Sequence, residues 1–181
     1  MSQQEYEIYS AVILDLDGTV RRSKSKQVFI SGLDDIEIIK DVVMIAETYK
    51  RQGFLILGAT NQGGIAHGFK TYTDVLLEIE ETKDLINVEL NTSLFDEIFF
   101  SPSDEKGKVF PYNYRSFLRK PNYGMLVEME TFYFQKRKIV IDWNNSFFVG
   151  DREEDKLCAA NADIKFYHVN EFLENHGFPK I

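Results

Sequence analysis

The sequence has little cysteine, no long apolar run and no excess of basic residues, and each absence excludes a class of protein. Cys158 is the single cysteine, which excludes an intrachain disulfide and any zinc site built on several thiolates. No stretch approaches the roughly 20 apolar residues that a membrane-spanning helix needs. The net charge of −8 disfavours non-specific nucleic-acid binding, which depends on neutralising phosphates. A metal site in this chain must therefore rest mainly on oxygen or imidazole ligands.

The opening residues also lack the basic and apolar segments of a secretion signal, so we expect a cytoplasmic protein. The length of 181 residues suits one domain with a hydrophobic core, and no Pro/Gly-rich linker divides the chain. We therefore predict a single domain over residues 1–181. The oligomeric state is left open by the sequence.

Apolar periodicity predicts strands and helices that alternate along the chain. Strands are predicted at 11–14, 54–57, 97–100, 146–149 and 164–169, and helices at 34–52, 71–86, 123–134 and 153–162. The strands are unbroken apolar runs, which is typical of a parallel sheet with both faces covered. We predict an α/β fold with a central parallel sheet and a long loop over residues 101–118.

Acids, hydroxyls and glycines follow three of these strands. The residues concerned are Asp15, Asp17, Gly18, Thr19, Thr60, Asn61, Gln62, Gly150, Asp151, Arg152 and Asp155. Each group alone is common in turns and at helix starts. Ligands of open parallel sheets bind beyond the carboxyl ends of the strands, so these groups are expected at one edge. Together they indicate phosphoryl transfer.

The chemistry of phosphoryl transfer assigns a task to each acid. A carboxylate at the end of a buried strand can attack phosphorus, and Asp15 is placed to do so. Asp17 can protonate the leaving oxygen and then deprotonate the attacking water. A phosphate dianion repels a carboxylate, so we expect Mg²⁺, with Asp15 and Asp151 as its natural ligands.

The remaining groups are expected to bind the transferred phosphate. Thr60 and Asn61 offer a hydroxyl and an amide, and Lys120 offers positive charge where negative charge develops. Gly18 turns the chain and lets the backbone approach the phosphate closely.

Four segments carry a family resemblance: DLDGT, ATNQGGIAHG, RKPNYGML and FFVGDREEDKLCAANADI. They resemble the motifs of the haloacid dehalogenase-like (HAD) phosphatases. TNQGGIAHG and RKPNYGML are similar to the branch containing histidinol-phosphate phosphatase and D,D-heptose 1,7-bisphosphate phosphatase, with the phosphatase domain of polynucleotide kinases close by. The resemblance implies a three-layer Rossmann-like fold, Mg²⁺ and an aspartyl-phosphate intermediate.

The resemblance also implies roles for individual residues. It implies that Asp15 is the nucleophile, Asp17 the acid/base and a backbone-carbonyl ligand of Mg²⁺, Thr60 and Lys120 phosphate-binding groups, Arg119 and Arg152 substrate contacts, Asp151 a Mg²⁺ carboxylate and Asp155 a supporting acid. Asn61 lies beside Thr60 in the same motif.

One stretch departs from the branch. Its sugar-phosphate and histidinol-phosphate members usually carry a zinc loop of cysteines and a histidine before RKP, but here the stretch reads SPSDEKGKVFPYNYRSFLRKP. No structural zinc is expected, and Phe110, Tyr112, Tyr114 and Phe117 are expected to anchor this loop by packing. The polynucleotide 3′-phosphatases share RKP without those cysteines, which keeps them as an alternative.

Too few residues separate the motifs for a sizeable cap domain, so an open site is expected. The basic segment Arg21, Arg22, Lys24 and Lys26 directly follows DLDGTV. We give equal weight to a solvated surface and to binding of a second phosphate or a nucleic-acid backbone at the mouth.

The other singled-out residues are assigned simpler roles. His67 is interpreted as a helix-start polar residue in preference to a substrate contact. His168, His176 and the buried Cys158 are interpreted as structural.

The favoured hypothesis is a Mg²⁺-dependent phosphomonoester hydrolase acting on a small phosphorylated metabolite of the sugar-phosphate or histidinol-phosphate type. The alternatives are a polynucleotide 3′-phosphatase and, less favoured, a non-catalytic phosphate-binding protein. No membrane partner is expected.

Overall fold

A five-stranded parallel sheet forms the centre of the computed structural model, which describes residues 5–27 and 29–181. In chain order the strands are β1 Glu7–Tyr9, β2 Ala11–Leu14, β3 Arg21–Ser23, β4 Ile36–Ile38, β5 Leu55–Asn61, β6 Glu97–Ser101, β7 Ile139–Ile141, β8 Phe147–Gly150 and β9 Lys165–His168. The helices are α1 Lys40–Arg51, α2 Gly64–His67, α3 Tyr72–Leu90, α4 Gly124–Phe132, α5 Glu153–Asn161 and α6 Val169–Asn175. The central sheet has the order β6-β5-β2-β8-β9, and each neighbouring pair is parallel.

Strand β2 lies in the middle of this sheet because its side chains are apolar on both faces. Val12 and Leu14 pack into one buried cluster, whereas Ala11 and Ile13 pack into the other. Helices α1, α3 and α6 cover the first cluster, and α4 and α5 cover the second. The result is the expected three-layer α/β fold with a central parallel sheet.

The helix predicted at 34–52 is wrong over its first residues, because it begins only at Lys40. Leu33–Asp35 forms a 3₁₀ turn, and Ile36–Ile38 is a strand that pairs antiparallel with Arg21–Ser23. Ile36 and Ile39 have helical spacing, but isoleucine is β-branched and suits a strand equally well. Sequence spacing alone could not separate the two.

Further short elements were missing from the prediction. Strands β1 and β7 form a separate parallel pair, and helix α6 begins at Val169, where the last predicted strand was expected to continue. Helix α4 runs on into a π-helical turn at Tyr133–Arg137. These elements are short, so their apolar patterns are too brief to be recognised from the sequence.

The described residues form no large cap domain over the edge of the sheet where the ligand is expected. Between β2 and α1 the described residues form the β3–β4 hairpin and the 3₁₀ turn, and between β6 and α4 they form a loop. Helix α3 begins with a capping box in which Thr71 and Asp74 bond each other's backbone N–H groups. No helix in residues 5–27 and 29–181 combines the length and apolar character needed to cross a membrane.

Candidate active site

The predicted site residues meet at a cavity of about 400 Å³ beyond the carboxyl ends of β2, β5 and β8. The predicted residues that line it are Asp15, Asp17, Gly18, Thr60, Asn61, Arg119, Asp151 and Arg152. Lys120 and Asp155 lie behind the lining, with 2% and 1% of their surface exposed. The prediction that strand ends would gather these side chains at one edge is therefore confirmed.

The buried ammonium of Lys120 links an acid at the end of strand β2 to an acid in the first turn of helix α5. Its Nζ lies 2.6 Å from Oδ1 of Asp15 and 2.6 Å from Oδ1 of Asp155, and it donates to the Ala59 carbonyl at 2.7 Å. Burial opposes its charge, but the adjacent carboxylates outweigh this and raise the pKa of Lys120 above its usual value. Lys120 is therefore a permanent cation against Asp15.

Asp15 itself is buried, with 5% of its surface exposed. Burial is the main cause that raises the pKa of Asp15, with a contribution from the Asp155 charge, while Lys120 acts in the opposite direction. A further cation at this point would favour the ionised form.

Asp15, Asp151 and Asp155 offer carboxylate oxygens that all lie within 4.8 Å of one another. Among the described residues, Oδ1 of Asp151 is buried and has no hydrogen-bond partner. Asp155 is engaged by Lys120 and also accepts a bond from the Arg152 N–H at 3.0 Å. Oxygen ligands of this kind suit Mg²⁺, so Asp15 and Asp151 fit the cation and Asp155 orients Lys120 beside them.

Gly18 turns the chain between the acids of β2 and β8. Its φ of +97° is in the left-handed region that glycine adopts without strain. A side chain at this position would overlap the carboxylate of Asp151. Glycine is therefore needed for the approach of Asp151 as well as for the turn.

The carboxylate of Asp17 is held at both oxygens. Arg21 Nε donates to Oδ1 at 2.8 Å, and Gln62 Nε2 donates to Oδ2 at 2.8 Å. Burial would raise the pKa of Asp17, but the Arg21 charge and these hydrogen bonds outweigh it and lower the pKa. Asp17 is consequently ionised and fixed in orientation.

Arg21 was expected at the mouth of the site, and this expectation is wrong. The side chain has no exposed surface, and its Nη1 donates to the Glu78 carbonyl at 3.0 Å and to Thr82 Oγ1 at 2.8 Å. Helix α3 supplies both acceptors. Arg21 is thus a buried partner of Asp17, and it leaves the basic segment with fewer accessible charges.

Two of the three remaining cations of the basic segment, Arg22 and Lys24, already have partners. Arg22 forms hydrogen bonds of 2.8 and 3.1 Å with the Glu37 carboxylate, and Lys24 Nζ donates to the Asp34 carbonyl at 2.8 Å. Of these, Arg22 lines the cavity. Such exposed pairs contribute little stability and can exchange for a ligand.

Thr60 and Asn61 are the last two residues of β5, which continues past residue 57, where the predicted strand ended, and they differ in what they contact. Thr60 is buried, and its hydroxyl accepts a bond from Gln62 Nε2 at 2.9 Å. The Asn61 amide donates to the Lys120 carbonyl at 3.0 Å and to Glu154 at 3.1 Å, and its oxygen accepts the Lys120 N–H at 3.0 Å. As placed, Asn61 holds the backbone of Lys120.

A cluster that the sequence did not reveal lies on the opposite wall. Oδ2 of Asp104 is 3.1 Å from Arg119 Nη2 and 3.3 Å from His67 Nε2, and Arg119 also donates to the Ser103 carbonyl at 3.2 Å. The Arg119 charge, the Lys106 N–H and His67 together lower the pKa of Asp104 against the opposing effect of burial. His67 ends helix α2, so its assignment to a helix start is wrong; it lines the cavity.

The loop before Lys120 is held by its backbone more than by its aromatic side chains. Lys108 and Val109 donate their N–H groups to the Ala66 carbonyl at 2.7 and 2.9 Å. Phe110 is 86% exposed, and Tyr114 and Phe117 are also exposed. Tyr112 packs against the core, and Phe117 packs edge to face on Tyr123 with ring centroids 5.2 Å apart, so the expectation is wrong for Phe110 and Tyr114.

Comparison with known proteins assigns the family. The family model described as polynucleotide kinase 3 phosphatase matches residues 10–173. The chain belongs to this family. The match includes every strand and side chain of the candidate site.

Named relatives of this phosphatase family member act on sugar phosphates. The D-glycero-beta-D-manno-heptose-1,7-bisphosphate 7-phosphatase of Pasteurella multocida is 32% identical over 169 residues, which are 93% of this chain and 83% of that protein. The enzyme of the same name from Escherichia coli K12 is 30% identical over 155 residues, which are 85% of this chain and 75% of that protein. The resemblance to HAD phosphatases is thereby confirmed, and the chain is a phosphatase.

Solved structures agree with the fold. A candidate HAD-like phosphatase of Mesorhizobium loti superposes with a TM-score of 0.75 at 26% identity, over 87% of this chain and 70% of that one. D,D-heptose 1,7-bisphosphate phosphatase of B. bronchiseptica, complexed with magnesium and phosphate, superposes with a TM-score of 0.70 at 20% identity, over 96% of this chain and 88% of that one. At that identity the second likeness shows the fold alone.

Arg152 completes the wall of this phosphatase's cavity. Its Nε lies 3.9 Å from Oδ2 of Asp151, and half of its side chain is exposed. It is therefore placed to meet a ligand over the acids.

Three residues lie outside the lining of the cavity. His168 caps α6 by accepting the Asn170 N–H at 3.2 Å, His176 lies 2.7 Å from the Phe172 carbonyl, and Cys158 Sγ donates to the Asn122 carbonyl at 3.3 Å. Burial raises the pKa of Cys158 to about 12. Their contacts are structural.

Proposed function

We propose that the protein hydrolyses a small phosphorylated metabolite through an aspartyl-phosphate on Asp15, with Mg²⁺ as cofactor. One observation carries the proposal. Asp15 lies 2.6 Å from the buried Lys120 ammonium, and beside it Asp151 keeps a buried oxygen without a partner among the described residues. Phosphoryl transfer depends on a nucleophile that is held beside fixed positive charge and on a cation bound next to it. Lys120 supplies the charge, and the Asp151 oxygen that is unpaired in the described part of the chain is available to bind the cation.

In the first step an oxygen of the Asp15 carboxylate bonds to phosphorus as the bond from phosphorus to the substrate alcohol breaks. Lys120 remains hydrogen-bonded to Asp15, which keeps the carboxylate in place for attack, and its positive charge offsets the negative charge on the neighbouring phosphoryl oxygens. Bound Mg²⁺ would supply positive charge for the phosphate, held by Asp15, Asp151 and the Asp17 carbonyl.

The proton balance rests on Asp17. Asp17 first exchanges its contact with Arg21 for one with the substrate. It then accepts the proton of the monoanionic phosphate ester and passes it to the leaving alkoxide. In the second step water attacks phosphorus, its proton passes to Asp17, and the bond to Asp15 breaks. The ionised, fixed carboxylate described above is the form that serves this second step.

We infer a sugar phosphate as the substrate class because the relatives named above are heptose bisphosphate phosphatases. Arg119 and Arg152 line the cavity and are the cations that we assign to substrate oxygens. Thr60 is assigned to the phosphate, while Asn61 is assigned to holding Lys120 in place.

The mechanism is tested by hydrolysis of 4-nitrophenyl phosphate in Mg²⁺, with and without a chelator. Asp15→Asn should abolish turnover without unfolding the protein, whereas Asp84→Asn, at an exposed position of α3, should leave it unchanged. Borohydride added during turnover should reduce an acyl phosphate, so that mass spectrometry finds homoserine at position 15. Turnover by Asp15→Asn, or no reduction product at position 15, would overturn the proposed nucleophile.

The second candidate is a polynucleotide 3′-phosphatase, which the family match favours. Because Arg21 is buried, the accessible cations of the basic segment are Arg22, Lys24 and Lys26. Turnover of a 3′-phosphorylated oligonucleotide should then fall steeply with salt and with neutralisation of these three residues. A panel of sugar phosphates and histidinol phosphate, assayed beside 3′-phosphorylated DNA and RNA, decides between the two.

A further inference from the structure

Two exposed phenylalanines separate the catalytic cavity from a second cavity. Phe29 lies in the loop between β3 and β4, and Phe69 follows helix α2. They are 61% and 71% exposed. Both line the catalytic cavity and also an outer cavity of about 740 Å³. Exposed aromatic side chains beside a reaction site are typical of a ligand-binding surface.

The rings form a row that begins inside the catalytic cavity. His67 stacks on Phe69 with ring centroids 5.7 Å apart and an interplanar angle of 15°. Phe69 faces Phe29 across 6.4 Å with an angle of 37°. A flat ring lying between two others needs about 7 Å, because carbon atoms in contact are about 3.5 Å apart. A small rotation of either phenylalanine would therefore admit a planar ring, whereas a puckered saturated ring is thicker.

Charge in the outer cavity disfavours a second phosphate there. The charged residues that line it are Lys70, Asp74 and Glu78. Lys70 Nζ is already 2.7 and 2.8 Å from the oxygens of Glu78, so its charge is matched, and the Asp74 carboxylate also faces this region. The described lining residues therefore offer no unmatched cation to an anion, whereas an uncharged or cationic group needs none.

We propose that Phe29 and Phe69 form a subsite for a planar, uncharged or cationic aromatic ring carried by the alcohol part of the substrate. A nucleoside monophosphate is one ester of this class, and a simple arylalkyl phosphate is another. The proposal rests on the proposed function, since the same cavity must hold the phosphate. It narrows the substrate to esters whose leaving group reaches the outer cavity.

The test compares 2-phenylethyl phosphate with 2-cyclohexylethyl phosphate, which differ in the planarity of one ring. Wild type should show a kcat/KM at least about fivefold higher for the phenyl ester, the lower limit for stacking on an aromatic side chain. Phe29→Leu and Phe69→Leu retain an apolar group but lose the ring, and each should bring the ratio towards one. Phe110→Leu, at an 86% exposed position that lines neither cavity, should leave the ratio unchanged.

Equal kcat/KM for the two esters in wild type, or a ratio that both leucine variants preserve, would overturn the subsite. Failure of the proposed function is recognised separately, by absence of turnover for either ester and for 4-nitrophenyl phosphate. In that event, calorimetry with 3-phenylpropylphosphonate and 3-cyclohexylpropylphosphonate gives the same comparison from binding alone. Equal affinities would then reject the subsite, and tighter phenyl binding that Phe69→Leu removes would support it.

The source of the ring is decided by two further substrates. Preference for adenosine 3′- or 5′-monophosphate over ribose 5-phosphate, lost in Phe69→Leu, would assign the subsite to a nucleobase. If phenyl is preferred over cyclohexyl but the nucleotides are not preferred over ribose 5-phosphate, the subsite binds a ring smaller than a nucleobase.

Discussion

Arg21 Nε donates a 2.8 Å hydrogen bond to Oδ1 of Asp17 from a side chain that has no exposed surface. The arginine is itself held by the Glu78 carbonyl and by Thr82 Oγ1, both on helix α3. The orientation of Asp17 therefore depends on a helix behind the sheet edge as well as on its own turn.

Replacing Arg21 with Met should lower both turnover and stability. Loss of the guanidinium leaves the half-buried Asp17 held only by Gln62, and removes a charge that faces the buried Glu78 at 3.7 Å. Breaking a buried ion pair from one side costs about 3–5 kcal/mol. Urea unfolding and kcat/KM for 4-nitrophenyl phosphate measure the two effects.

The neighbouring Arg22 provides the matched control for Arg21. Its pair with Glu37 is exposed on both sides, so Arg22→Met should change stability by no more than about 1 kcal/mol. The profile of kcat against pH adds a readout beyond stability, because without the Arg21 charge the pKa of Asp17 should rise. An Arg21→Met profile that superposes on that of Arg22→Met would contradict the positioning of Asp17 by Arg21.

Replacing Asp155 with Asn should leave Lys120 with one carboxylate in place of two. Asp155 is buried and 2.6 Å from the ammonium, so the change should cost about 3 kcal/mol of stability and reduce turnover as Lys120 loses its fixed position. Urea unfolding and steady-state kinetics measure both.

The control for Asp155 lies on the same helix. Glu153 forms an exposed contact of 3.7 Å with Lys156, so Glu153→Gln should be close to neutral. Equal unfolding midpoints for the two variants would show that the contact between Asp155 and Lys120 does not stabilise the fold.

Asp35 should make the protein more sensitive to acid. Its carboxylate accepts the N–H groups of Ser31 and Ser25, at 3.0 and 2.8 Å, and the hydroxyl of Ser23 at 2.9 Å. The backbone bond from Ser31 and then that from Ser25 lower its pKa. A lowered folded-state pKa gives stability that is complete above the unfolded-state pKa of about 3.9 and is lost as pH falls through the folded-state value.

Urea unfolding midpoints measured from pH 5 downwards test whether the stability contributed by Asp35 falls with pH. The stability difference between wild type and Asp35→Asn should be largest near pH 5 and should shrink as the solution becomes more acidic than about pH 4. Asp34→Asn, one residue away, should follow the wild-type curve. A constant difference between wild type and Asp35→Asn at every pH would reject a charge effect.

Sequence patterns were sufficient for the parts of the fold in which local and global signals coincide. Ala11 to Leu14 is an unbroken apolar run that ends on Asp15, and this change of polarity marks the point at which a buried strand leaves the core. The same signal located Thr60 at the carboxyl end of β5 and Asp151 directly after β8. The candidate site could be assembled because parallel strands bring such ends to one edge.

Long-range partners were beyond the reach of the sequence. The acceptors that bury Arg21 lie 57 and 61 residues away along the chain, so nothing next to Arg21 distinguishes it from the exposed Arg22. Asp104 likewise acquires its contacts only when Arg119, further along the same loop, and His67, at the end of helix α2, fold against it. The helix predicted from residue 34 failed for a different reason, since β-branched residues at that spacing suit a hairpin as well.

Helix α3 contacts both ends of the proposed substrate path. Glu78 and Thr82 hold Arg21 behind Asp17, while Asp74 and Leu77 line the outer cavity. A helix moves as a unit, so a displacement that widened the outer cavity would also displace Asp17, the proposed acid/base. Substitution of a single side chain such as Leu77 can therefore change which leaving group fits the outer cavity. A change in the position of the whole helix would instead lower catalytic activity at the same time.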